Sequence, residues 1–242
     1  GVRDEIYIHD VSTGRGQQLL ERGDSRFPVW SPNGKSLVFR WDENEQGGLA
    51  WKEDVTASTP HKILLPMEVR GNLAPYGFST DGTKVLYTYP SAESGGTDDI
   101  GVLSMQAKAE SNSLITGDFN EWCPSFSPDG KWIAYCSDRD GQYQIYVRPY
   151  PLVDKRFWKV SDKIGEEPIW SPAGDELFYR SGNRLMAVRY QSEEDFVYEF
   201  PEVAWEGRFR NVFGFSYDIS QDGKRFLILK PAFDDTQIEE VR

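Results

Sequence analysis

Two short acidic runs stand out as places where side chains could do chemistry: Asn120-Glu121-Trp122 and Gly165-Glu166-Glu167. Carboxylates held in unlike environments can divide the work of general acid and general base. Carboxylates beside aromatic rings can instead hold a cation or a hydrogen-bonding ligand. The rest of the reactive inventory is thin. The 242 residues include two histidines, His9 and His61, and two cysteines, Cys123 and Cys136. The histidines are too far apart to share a metal, and no C-x-x-C pair offers a redox or zinc site. No G-x-S-x-G nucleophile elbow occurs. Asp138 and Asp140 in "SDRDGQ" alternate as in a calcium loop, but no glutamate follows at the distance where such a loop closes. No metal, cofactor or catalytic residue is therefore expected. The cysteines read as small buried apolar side chains whose strands could approach one another.

What must position the acidic runs is a repeat. "VWSPNGKSLVFR", "GFSTDGTKVLYT", "FSPDGKWIAYCS", "IWSPAGDELFYR" and "DISQDGKRFLIL" share one frame, with leading serines Ser31, Ser79, Ser127, Ser171 and Ser220. The intervals are 48, 48, 44 and 49 residues. In each copy Pro, Asp or Asn, and Gly build a turn. A run of about five β-branched and aromatic residues follows, too short for a helix and right for a buried strand. A second turn, a third strand and a more polar fourth segment complete the unit. Four short antiparallel strands in about 45 residues is the arithmetic of a β-propeller blade.

The expected architecture is all-β, a single domain over 1–242. Its repeat copies lie near 27–68, 75–117, 123–161 and 168–207, with 214–230 paired to 4–21 as one shared blade. That makes five blades, or part of a six-bladed ring. "TQIEEVR" at the end would supply a short third strand.

These motifs resemble the WD40-like, or TolB-like, β-propeller repeat. They are most similar to the propeller tails of bacterial Ser/Thr protein kinases. The likeness covers nearly the whole chain, but the residues that carry it, such as Pro128, Asp129 and Gly130, are turn-makers. Ser79–Gly82 and Ser220–Gly223 lack the proline. No kinase motif is present. Oligogalacturonate lyases and prolyl peptidases share the repeat. The first resemblance would imply a histidine-rich metal site and the second a separate hydrolase domain. The family likeness implies a bacterial protein, periplasmic or cytoplasmic.

In a propeller the first strand of each blade lines the channel, and the residues before it ring one mouth. Counting back from each repeat serine places Arg26, Asn72, Glu121, Trp122, Glu166, Glu167 and Phe215 there as candidate ligand-binding residues. An acidic mouth favours a cation or a basic peptide. The alternative is that Glu121 and Glu167 only tie neighbouring blades together. A net charge of −12 argues against nucleic acid, and no apolar run approaches the roughly 20 residues of a membrane span. The leading expectation is a non-catalytic binding or scaffold module for a protein or peptide. The rivals are a propeller-type lyase or hydrolase using Glu121 and Glu166, and a sensory tail of a larger signalling protein.

Overall fold

The repeated turn is the local device from which the fold is built. In the third copy Ser127 N and Gly130 N donate to Trp132 O and Ser127 O, both at 2.9 Å. Ser127 Oγ donates to Asp129 Oδ1 at 2.6 Å and accepts from Trp132 N at 2.9 Å. Asn33 and Asp81 serve the turns at Ser31 and Ser79 in the same way. The closing glycines, Gly34, Gly82, Gly130, Gly174 and Gly223, all have φ between 67° and 79°, where a side chain would be strained. The recurring serines are thus turn components rather than nucleophiles.

The computed structural model describes residues 4–20, 22–43, 46–57, 61–66, 72–91, 96–106, 110–192 and 195–231. All regular elements among them are strands. They fall in two compact units, Gly1–Leu114 and Ile115–Arg242.

The first unit begins with a two-stranded sheet, β1 (Tyr7–Asp10) and β2 (Arg15–Gln18). Two four-stranded antiparallel meanders follow. One is β3 (Asp24–Trp30), β4 (Leu37–Glu43), β5 (Gln46–Lys52) and β6 (Lys62–Pro66). The next is β7 (Ala74–Phe78), β8 (Lys84–Pro90), β9 (Asp98–Ser104) and β10 (Ser111–Ile115). Strand alternation sets the core. Leu37, Phe39 and Trp41 of β4 pack with Ile6, Leu19 and Val55. Val38 joins Leu73, Val85, Tyr87 and Leu103 from the next sheet.

In the second unit a meander runs through β11 (Glu121–Phe126), β12 (Trp132–Ser137), β13 (Gln144–Pro149) and β14 (Trp158–Lys159). Then come β15 (Glu166–Trp170), β16 (Glu176–Ser181) and β17 (Arg184–Gln191). Both β18 (Val197–Tyr198) and β19 (Glu202–Glu206) pair with β17, making this sheet five-stranded. A two-stranded sheet of β20 (Tyr217–Ile219) and β21 (Phe226–Ile228) follows, with Phe178, Leu185, Phe209 and Tyr217 in a common core.

At the two ends of the chain the described strands form a two-stranded sheet in each unit, β1–β2 in the first and β20–β21 in the second. The short third strand expected in "TQIEEVR" lies outside the described residues.

Candidate functional site

Just ahead of the repeat turn, the first strand of four sheets carries a bulge. The ladder shifts between Arg26 and Val29, Pro75 and Gly77, Trp122 and Ser125, and Glu166 and Ile169. Phe27, Cys123 and Glu167 sit there at φ 54°, 49° and 57°. Each precedes a proline, Pro28, Pro124 or Pro168. Proline bars its predecessor from the right-handed helical region and has no N–H to continue the ladder, so the strand bulges. The second copy has Pro75 itself at the equivalent position, whose ring cannot take positive φ. This X-Pro-x-x-Ser-Pro pattern is legible in the sequence, although its consequence is not obvious there: it re-aims the side chains on which the candidate site depends.

In the first unit the polar candidates are paired locally. Arg26 Nε lies 2.7 Å from Asp4 Oδ2, and its Nη2 3.7 Å from Asp24. Asn72 is exposed and donates from Nδ2 to Asp98 Oδ2 at 3.1 Å, while its carbonyl accepts from Thr88 Oγ1 at 3.3 Å.

In the second unit Glu167 is fully engaged. Its Oε1 accepts from Arg180 Nη1 at 3.0 Å. Its Oε2 accepts from Ser216 N at 2.7 Å and Ser216 Oγ at 2.6 Å. Its carbonyl accepts from Tyr217 OH at 2.7 Å. Glu167 therefore ties β15 to β20 without any ladder between them. Ser125 does the same between β11 and β15, donating to Pro168 O at 2.8 Å and accepting from Trp170 Nε1 at 3.1 Å. Glu166 is half-buried opposite Arg180 in the ladder. Burial pushes its carboxyl up, and the guanidinium partly offsets this.

Glu121 is different. The register sets Glu121 opposite Ser137 and Ser137 opposite Gln144, a polar row across the end of three strands. The three residues are 3%, 0% and 3% exposed. Glu121 Oε2, Gln144 Oε1 and the nearby Arg139 Nη1 are buried without a hydrogen-bond partner. Burial drives the Glu121 carboxyl up to about 7, against the Ser137 hydrogen bond and the charges of Arg139 and Arg148. The Arg139 guanidinium stands 4.4 Å from the Phe157 ring, 5.6 Å from Tyr146 and 5.7 Å from Phe119. Arg148 donates to Tyr135 OH at 2.8 Å and to Val153 O at 2.9 Å.

Trp122 packs on Phe213 at 4.8 Å and Tyr143 at 6.3 Å, and its indole N–H is also buried and unpartnered. Phe213, two residues before the half-buried Phe215, is the ring the fifth copy brings to Trp122. Glu121, Trp122, Glu166 and Glu167 all lie on the first strands of the second unit, each with different partners. Arg139 and Gln144 escaped sequence counting because they follow the second strand rather than precede the first.

The remaining reactive groups have structural surroundings. Asp138 accepts from Asn120 N at 2.9 Å and Nδ2 at 2.8 Å, and Asp140 meets Lys159 Nζ at 3.0 Å. His61 lies on Trp41 at 4.6 Å and is pushed down chiefly by burial, while His9 is exposed on β1. Cys123 and Cys136 are both buried and free, and the Cys136 thiol donates to Trp122 O at 3.3 Å. Among the described residues no group of three His, Cys, Asp or Glu is placed to hold a metal. No helix among them is long and apolar enough to cross a membrane.

No family model matches the chain. An uncharacterized protein of Agrobacterium fabrum is 25% identical over 182 residues, which cover 74% of this chain and 59% of that protein. The Tol-Pal system protein TolB of Francisella tularensis is 24% identical over 183 residues, covering 74% of this chain and 40% of TolB. The chain therefore spans about half the length of these relatives. Among solved structures, TolB from Acinetobacter baumannii superposes with a TM-score of 0.69 at 17% identity, over 92% of this chain and 53% of that one. An oligogalacturonate lyase in complex with manganese gives 0.64 at 14% identity, over 95% and 65%. The fold is that of a TolB-like β-propeller, shared by TolB and by an oligogalacturonate lyase.

Proposed function

We propose that this chain is a non-catalytic binding module, a TolB-like propeller that presents the strand end around Glu121 and Trp122 to a protein or peptide partner. The observation that carries this is the uneven use of its carboxylates. Glu167 is consumed in holding strands together, whereas Glu121 keeps an unpartnered oxygen and its neighbour in sequence, Trp122, an unpartnered indole N–H. Convergent polar groups next to aromatics are the usual composition of a binding site. The formal charge of −12 favours a basic partner, and the likeness to a Tol-Pal system protein supports a place in a protein assembly. The test is anisotropy with labelled Lys/Arg-rich and Asp/Glu-rich octapeptides. Basic peptides should bind more tightly, and Trp122→Ala should weaken them about tenfold without unfolding the chain. Equal binding of both peptide classes would sink the proposal.

One observation favours a lyase or hydrolase instead. A carboxyl raised to about 7 is half-protonated at neutral pH, as a general acid should be, with Glu166 as its partner. Turnover of oligogalacturonate with manganese present, abolished by Glu121→Gln, would establish that reading.

A further inference from the structure

The polar row in the third copy has an internal control. In the first copy the same three ladder positions are Ser25, Trp41 and Gly48. There the buried Trp41 indole fills the row. The fold therefore does not require a polar row at this place. In the third copy Ser137 replaces the indole, a carboxylate and an amide flank it, and three buried polar atoms are left without partners. Buried polar atoms are nearly always satisfied in folded proteins, so unmatched ones on one cross-strand row and the turn beside it single out this row as a place to look for a ligand.

The charges narrow what that is. Arg139 disfavours a bare cation, and Glu121 disfavours an anion. Two acceptor oxygens, on Glu121 and Gln144, call for a group with two donor hydrogens. The free Arg139 N–H calls for an acceptor on the same group. A primary carboxamide has this inventory: two N–H donors and one carbonyl. Sources of that chemistry are a free small amide and the side chain of Asn or Gln on a partner.

We propose that the Glu121–Ser137–Gln144 row is a binding site for a primary carboxamide, with Glu121 and Gln144 accepting from its nitrogen and Arg139 donating to its carbonyl. The site shares its strand end with the proposed binding surface but does not depend on a basic partner. Failure of the basic-peptide experiment and failure of this one are separate results.

Acetamide, acetate and acetamidinium have nearly the same shape and carry neutral, negative and positive charge. Titrated into the whole chain at pH 7, acetamide should move the Trp122 indole NMR signal saturably. The two ions should bind about tenfold more weakly or not at all. Glu121→Leu should weaken acetamide about tenfold, and Arg139→Lys, at the turn and independent of the buried strand, should weaken it about threefold. Capped Ala-Ala-Asn-Ala-Ala binding tighter than acetamide assigns the amide to a partner side chain. Binding no tighter assigns it to a free small molecule. A shift that does not saturate, equal response to all three probes, or full binding by both variants would overturn the site. So would one ordered water bridging the three groups that acetamide does not displace.

Discussion

Glu121 and Glu167 lie on the first strands of neighbouring sheets, two positions apart in the repeat frame, and are 3% and 4% exposed. Their fates are opposite. Glu167 has the charge of Arg180, three further hydrogen bonds through its carboxylate and carbonyl, and a backbone bent to deliver it. Glu121 has Ser137, two arginines at a distance and an oxygen facing nothing. Burial alone does not say whether a carboxylate is architecture or function. What distinguishes them is whether the fold has already supplied their partners.

The largest test of that contrast is removal of the fully partnered member. Glu167→Ala strands Arg180 in a buried setting and should cost about 3–5 kcal/mol by urea denaturation. A loss below about 1 kcal/mol would mean that Glu167 is not a structural tie.

Glu121 should instead reveal itself through pH. Its carboxyl is raised from 4.5 to about 7 in the folded chain, so the folded state holds more protons than the unfolded one between those values. Stability should therefore fall as pH rises through that window, by at most about 3.4 kcal/mol, and level off above it. Glu121→Gln should flatten this part of the profile and be the more stable protein at pH 8. An unchanged slope in the variant would show that Glu121 titrates normally.

A smaller effect separates turns from sites. Ser127→Ala removes a fully buried hydroxyl that both donates and accepts, and should cost about 1–2 kcal/mol with no effect on ligand binding. The smallest effect runs the other way. The fourth copy has Ala173 where the others have Asp or Asn, so Ser171 lacks the acceptor its counterparts use. Ala173→Asp should raise stability by about 0.5–1 kcal/mol, seen as a higher denaturation midpoint.

The strand meanders were legible because five turns with the same chemistry keep the same register, and because β-branched and aromatic runs alternate between them. Other features were not. Whether Glu167 is satisfied depends on Arg180, Ser216 and Tyr217, which no local pattern connects to it. Arg139 and Gln144 belong to a different turn, and only the ladder register brings them to Glu121. The five-stranded sheet arose because β17 is long enough, at eight residues, to pair with two short strands in succession.

The bulges ahead of the repeat turns bear on how such a chain avoids assembling itself wrongly. Tandem hairpins of similar sequence invite a first strand to add to the wrong neighbour during folding. A plain ladder would accept the intruder. Here Phe27, Cys123 and Glu167 reach positive φ one residue before a proline, while the second copy carries Pro75 one position earlier. A strand from the second copy placed on β12 or β16 would set a proline ring where the partner expects a left-handed residue. Among repeats that share one frame, the displaced proline sets the second copy's first strand apart from the others.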